Sequence, residues 1–130
     1  MDILLDTNAL IWLLNSPTGG SMSDKAKDQI NNADTVYASS ISVLEIRIKT
    51  MLGKLEAPDN LLDAITSAGL KTLSFTMEHA DALSYFPDLS RHDPFDRMLL
   101  AQAKTEGFVF LTSDGILLSQ GIDYVVDVRQ

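Results

Sequence analysis

An α/β fold on a parallel sheet is what this sequence predicts, and three observations carry that expectation. Short β-branched or apolar runs alternate with helical patterns, as successive βαβ units require. Gly53, Gly69 and Gly107 each close a helical stretch where a C-cap glycine belongs. The chain is also the right size for one core. At 130 residues, 14.3 kDa and 45% hydrophobic content, about two thirds of the unfolded surface is buried on folding. One domain spanning residues 1–130 is therefore expected, with no repeat or internal linker.

The elements follow in order. A first strand, Ile3 to Leu5, runs through Asp6-Thr7-Asn8 into an apolar helix from Ala9 to Leu14. Trp12 and Leu13 on that helix read as core or as a subunit interface. Pro17 to Ser23 is a loop of turn formers, and a second helix covers Asp24 to Asn32. Strand two is Thr35 to Ser39, and Ser42 opens a helix that ends near Leu52. Another helix spans Asp59 to Ala68. Strand three is Lys71 to Phe75, Thr76 caps a helix to Tyr85, and Phe86 to His92 is a connection containing proline. Asp93 is a good N-cap and Pro94 suits the first helical position, so a helix runs to Gly107. Strand four is Phe108 to Thr112, and a last short strand lies near Tyr124 to Val126.

Composition excludes several classes of function. With no cysteine there is no disulfide framework, no thiolate zinc site and no cysteine nucleophile. No apolar run approaches a membrane span, and no Lys or Arg precedes Lys25, so neither a spanning helix nor a signal peptide is read; the expected location is the cytoplasm. The formal charge of −8 opposes broad adhesion to nucleic acid or anionic membrane. Any grip on nucleic acid must then be local.

Four carboxylates fall where a parallel sheet binds its ligands, at the edge where strands end and crossover helices begin. Asp6 follows strand one directly, Asp114 follows strand four by two residues, and Glu45 and Asp96 sit in the first turns of helices. Carboxylates facing one cavity repel one another, and a divalent cation relieves that repulsion more simply than protonation. Oxygen donors without sulfur favour Mg²⁺ or Mn²⁺ over zinc. Such a site suits phosphodiester chemistry.

Each acid also has a structural reading. Asp6-Thr7-Asn8 fits an Asx-turn; Ser42 with Glu45 fits a capping box, with Lys49 placed for an i,i+4 ion pair; Asp114-Gly115 fits an ordinary turn. Asp93 reads most economically as the cap, with a contact to a metal-bound water as the alternative role. Asp96 shares a helix face with Leu100 and Ala103, which points it along the apolar stripe. His79 and His92 read as lying outside the pocket, with no paired nucleophile. Arg47, Lys49, Lys54, Arg91 and Arg97, half of the ten bases, flank the helices of Glu45 and Asp96. They form either a local phosphate grip or a solvated face.

Together these segments resemble the PIN-domain family, in particular VapC-type toxins of toxin–antitoxin pairs. The resemblance rests on Leu4-Leu5-Asp6-Thr7-Asn8-Ala9-Leu10-Ile11-Trp12, Ser42-Val43-Leu44-Glu45-Ile46 with Lys49 and Gly53-Lys54-Leu55, His92-Asp93-Pro94-Phe95-Asp96-Arg97, and Leu111-Thr112-Ser113-Asp114. Order and spacing agree over the whole chain. Phe86-Pro87 stands where the family often has Leu-Pro. The resemblance implies a five-stranded parallel sheet, a metal-dependent endoribonuclease acting on RNA, frequent homodimers, and an antitoxin that covers the site. It also implies an acidic quartet of Asp6, Glu45, Asp96 and Asp114, with Asp6, Asp96 and Asp114 as metal ligands. Asn8, Asp93 and Thr112 are then candidates for supporting those acids, and Arg47, Lys49 and Arg97 for contacting the RNA backbone. A haloacid-dehalogenase-like phosphatase would need Asp where Asn8 stands, and a receiver domain needs an acidic pair and a lysine that are not evident. The remaining alternative is a PIN-like module that binds RNA or protein without cutting.

Overall fold

The computed structural model describes residues 1–15, 20–89 and 92–130. Arg91 and the first part of the loop read from Pro17 lie outside the described residues. Five strands, β1 (Asp2–Leu5), β2 (Thr35–Ser39), β3 (Lys71–Leu73), β4 (Val109–Thr112) and β5 (Val125–Asp127), form one parallel sheet in the order β3-β2-β1-β4-β5. The α/β expectation is met. The helices among the described residues are α1 (Thr7–Asn15), α2 (Asp24–Asn32), α3 (Ser40–Met51), α4 (Leu61–Ser67), α5 (Met77–Asp81), α6 (Pro94–Glu106) and α7 (Gly115–Ser119). None is long and apolar enough to cross a membrane.

The central strand explains the layering. Ile3, Leu4 and Leu5 are all fully buried, as a parallel strand covered on both faces must be. Their side chains alternate in direction. Ile3 and Leu5 join Leu10, Ile46, Ile65 and Leu111 on one side, while Leu4 joins Leu99, Leu100, Phe110 and Leu117 on the other. The strand order reverses between β1 and β4, stepping outward from β1 to β2 and β3 on one side and continuing through β4 to β5 on the other, which makes their carboxyl ends the switch point where a crevice opens.

Local chemistry moves several predicted boundaries. The first helix begins at Thr7, because Asp6 accepts the Ala9 N–H at 2.7 Å and starts the helix itself. The third helix begins at Ser40 rather than Ser42. Ser39 is its N-cap and accepts the Ile41 N–H at 3.0 Å, so the predicted capping box of Ser42 and Glu45 does not form. β3 ends at Leu73, two residues short of Phe75. The helix expected from Thr76 to Tyr85 becomes α5 and then a 3₁₀ turn, Ala82–Tyr85. A second 3₁₀ turn, Pro87–Leu89, interrupts the connection before α6. Helix α7 is a gain over the sequence reading: Asp114 is its N-cap, not the start of a plain turn.

Gly107 ends α6 with φ of 73°, in the left-handed region, and a Cβ there would meet nothing within 4 Å. Replacing it costs only backbone strain. Gly107→Ala should destabilise the protein by about 1 kcal/mol, seen as a lower urea midpoint at unchanged slope. An unmoved midpoint would mean that α6 can end without the left-handed turn.

Candidate active site

The carboxyl ends of β1 and β4 bring the predicted acids together. Asp6 is 3% exposed and directly follows β1. Its Oδ1 accepts the Ala9 N–H, and its Oδ2 accepts the Thr112 hydroxyl at 2.8 Å and the Ser113 N–H at 2.9 Å. Burial pushes the Asp6 carboxyl above its ordinary value, against those donors, and nearby Glu45 pushes it further up. Thr112 has a double task. Its hydroxyl donates to Asp6 and accepts the Asp114 N–H at 3.0 Å, so one side chain spaces two acids.

Glu45 is buried on α3. The Thr7 hydroxyl donates to its Oε1 at 2.6 Å, and Lys49 Nζ approaches its Oε2 at 2.6 Å. Released from helix capping, Glu45 turns toward β1 and forms the predicted i,i+4 pair. The bond to Glu45 raises the Lys49 pKa, aided by the charges of Asp93 and Asp96. This ammonium therefore stands among three acids.

The third group comes from α6 and α7. Asp93 is exposed and caps α6, its Oδ1 accepting the Phe95 N–H at 2.9 Å and the Asp96 N–H at 3.4 Å. Asp114 Oδ1 caps α7 through the N–H groups of Ile116 and Leu117 at 2.9 and 3.0 Å. That leaves Asp114 Oδ2 facing Asp96. Burial, then the bond and charge of Asp114, then Asp93 and Asp6, push Asp96 up to about 8. In Asp114, burial alone would raise the pKa, but the bond from Asp96, the α7 amide of Leu117 and the neighbouring His92 outweigh it and hold the carboxyl low. Crowding thus favours the proton on Asp96 and the charge on Asp114.

His92 belongs to this group, which corrects the reading that placed it outside the pocket. Its Nε2 lies 3.0 Å from Asp114 Oδ2 and 3.6 Å from Asp96 Oδ2. Donor atoms of His92, Asp96 and Asp114 all lie within 4.8 Å of one another. The other histidine stays structural. His79 is buried, its Nδ1 accepting the Thr76 N–H and its Nε2 facing Glu106 at 2.9 Å.

The remaining candidates divide. Asn8 donates to Ser113 Oγ at 3.1 Å and holds the loop after β4. Arg97 Nε donates to the His92 carbonyl at 3.1 Å, bracing the approach to α6. Arg47 turns away to the carbonyls of Pro58 and Asp59, at 3.4 and 3.1 Å. Arg129 has no signal in the sequence, yet its guanidinium donates to the Ser113 carbonyl at 2.9 Å and braces the same loop as Asn8.

Comparison with known proteins adds family and fold. The family model described as PIN domain matches residues 3–120. The structure is similar to VapBC of Salmonella typhimurium, solved bound to DNA, with 21% identity, a TM-score of 0.68, and coverage of 98% of both chains. It is also similar to VapBC2 of Rickettsia felis bound to a promoter DNA fragment, with 16% identity, a TM-score of 0.66, and coverage of 97% of this chain and 96% of that one. A toxin–antitoxin complex from Klebsiella pneumoniae matches with 16% identity, a TM-score of 0.63, and coverage of 95% of each. At these identities the likeness is one of fold. No curated protein matches.

The shifted pair makes stability depend on pH. Folded Asp96 keeps its proton to about pH 8, whereas the unfolded chain releases it near the ordinary value of 3.8. The folded state thus binds more protons between those limits, and stability falls as pH rises through the window. Asn mimics the protonated acid and is exempt. In metal-free protein, the melting temperature of Asp96→Asn should gain on that of the parent from pH 5 to pH 8 and then run parallel. A constant gap across the range would refute the shift.

Proposed function

We propose that this chain, which belongs to the PIN-domain family, is a VapC-type toxin: a metal-dependent endoribonuclease that hydrolyses RNA and is inhibited by a cognate antitoxin. The observation that supports the reading is that Asp6, Glu45, Asp96 and Asp114 lie near one another at the sheet's switch point, Asp96 and Asp114 grouped with His92, Asp6 beside them through Thr112, and Glu45 paired to Lys49. A surface for holding RNA passively gains nothing from buried negative charge. Catalysis does.

The donor set fits a hard cation. Asp6 uses three of about four acceptor positions on its own chain, leaving one on Oδ1. Asp114 commits one oxygen to α7 and turns the other to the site. Oxygen predominates and the chain has no cysteine to offer a thiolate, which favours Mg²⁺ with Mn²⁺ as a substitute. Asp6, Asp96 and Asp114 would hold it. When bound, the ion supplies an acidified water and withdraws charge from a phosphodiester oxygen. Glu45 keeps a second lone pair on each oxygen beyond Thr7 and Lys49, so it can orient the attacking water and take its proton. Thr112, Asn8 and Asp93 set positions: the first spaces Asp6 from Asp114, the second holds Ser113, and the third caps α6. Lys49 and Arg97 border the acids and are suited to an RNA phosphate, while Arg47 would have to leave its carbonyl partners to take part.

Partners follow the same reading. The solved neighbours include VapBC and toxin–antitoxin complexes, which supports a small antitoxin as partner; a homodimer as the assembly and the cytoplasm as the location belong to the same proposal through the family. A basic antitoxin side chain can enter the carboxylate cluster.

RNA incubated with purified protein tests the proposal. Cleavage should require Mg²⁺ or Mn²⁺ and leave a 5′-phosphate and a 3′-hydroxyl, because no pair of histidines is placed to deprotonate a ribose 2′-hydroxyl and protonate the leaving oxygen. Asp6→Asn should lose at least about 10²-fold in rate. A 2′,3′-cyclic phosphate, or cleavage undiminished by Asp6→Asn and by chelator, would return the chain to a binding role.

A further inference from the structure

We infer that His92 is a direct metal ligand through Nε2, making the centre a mixed nitrogen and oxygen site with Asp96 and Asp114. This rests on the metal-dependent reading above and extends it to a residue outside the acidic quartet.

Three features of geometry carry the inference. First, the spacing suits shared coordination. His92 Nε2 lies 3.0 Å from Asp114 Oδ2 and 3.6 Å from Asp96 Oδ2, and neighbouring ligand atoms around an octahedral ion with bonds of about 2.1 Å are about 3 Å apart. The three donors also lie within 4.8 Å of one another, so small side-chain shifts bring all three onto one ion. Second, the backbone that carries the ring is fixed. The His92 N–H donates to the Leu89 carbonyl at 2.9 Å, and its own carbonyl accepts Arg97 Nε at 3.1 Å. Third, its carboxylate neighbours are fixed from outside the cluster. Asp114 is pinned as the cap of α7 and Asp96 rides on the first turn of α6, capped by Asp93. Little reorganisation remains when an ion enters.

A nitrogen donor changes which ion the site prefers. Imidazole is softer than carboxylate, so it favours a transition ion over Mg²⁺. The centre should therefore hold Mn²⁺ more tightly than Mg²⁺, and His92 should be responsible for most of that difference.

The chain has two histidines, and His79 is engaged with Thr76 and Glu106, so a histidine signal from bound metal has one source. The experiment is electron spin echo spectroscopy of tag-free protein loaded with Mn²⁺ alone. A nitrogen coupling typical of coordinated imidazole is expected. It should change isotope pattern when histidine is supplied as ¹⁵N and vanish in His92→Gln. In calorimetry, the same variant should lose at least about tenfold in Mn²⁺ affinity, with a smaller loss for Mg²⁺. Mn²⁺ bound without imidazole coupling would overturn this inference alone and make His92 a hydrogen-bond partner of the carboxylates. Failure of the parent protein to bind Mn²⁺ at all would overturn the metal-dependent reading with it.

Discussion

The buried carboxylate of Asp6 is the contact on which the site's arrangement depends, because its three hydrogen bonds tie the start of α1 to the end of β4 and the loop that leaves it. Through Ala9 it starts α1, through Thr112 it meets the end of β4, and through the Ser113 N–H it sets the loop that leads to Asp114. Each donor would be left wanting if the carboxylate were replaced by an apolar group, at a cost of about 1–3 kcal/mol for every buried orphan. The same residue that fixes the frame also brings negative charge to its most enclosed point. A fold that stabilises its own switch point with an acid has then to manage that acid's charge.

Management takes two forms on the two sides of Asp6. Toward α3, Glu45 is paired with Lys49 and the Thr7 hydroxyl, so its charge is balanced by a cation of the chain itself. Toward α6 and α7, Asp114 lies beside His92 and is held low, while burial and Asp114 push Asp96 up to about 8. The first arrangement is settled at neutral pH. The second is left short of positive charge, and under the proposed function it is on this side that a divalent ion would gain most by taking the place of the Asp96 proton.

Much of this was legible in the sequence because it depends on local rules. The β1 run of Ile3, Leu4 and Leu5 is continuously apolar because both its faces are covered, and Asp93-Pro94 starts α6 just where cap chemistry puts it. Asp6 and Asp114 were placed by topology alone, since any residue just past a central parallel strand reaches the ligand edge. The misses share a cause. Ser42 and Glu45 match a capping box, but Ser39 two residues upstream of Ile41 is the better placed cap, and only the tertiary contact with Thr7 explains where Glu45 goes. His92 sits in a connection without periodicity, and its meeting with Asp114 spans 22 residues. Arg129 reaches Ser113 across 16 residues, a closure that no nearby sequence pattern reports. Helix α7 covers five residues, too few for a periodic signal, and Asp-Gly is equally at home in a turn.

Under the proposed function, the chain's net charge of −8 sets a competition between its two partners. At a distance the field repels RNA, so the strand must be held by short-range contacts: a bound divalent ion, Lys49 and Arg97. A basic segment of an antitoxin meets the opposite situation, being drawn in by the field before any contact forms. Both converge on the same carboxylates, and the ion and the basic side chain are alternatives for neutralising them. Occupancy by one removes the reason for the other. An acidic ribonuclease of this kind is therefore slow to gather substrate and quick to gather its inhibitor, and the charge that weakens its grip on RNA is what makes it readily silenced.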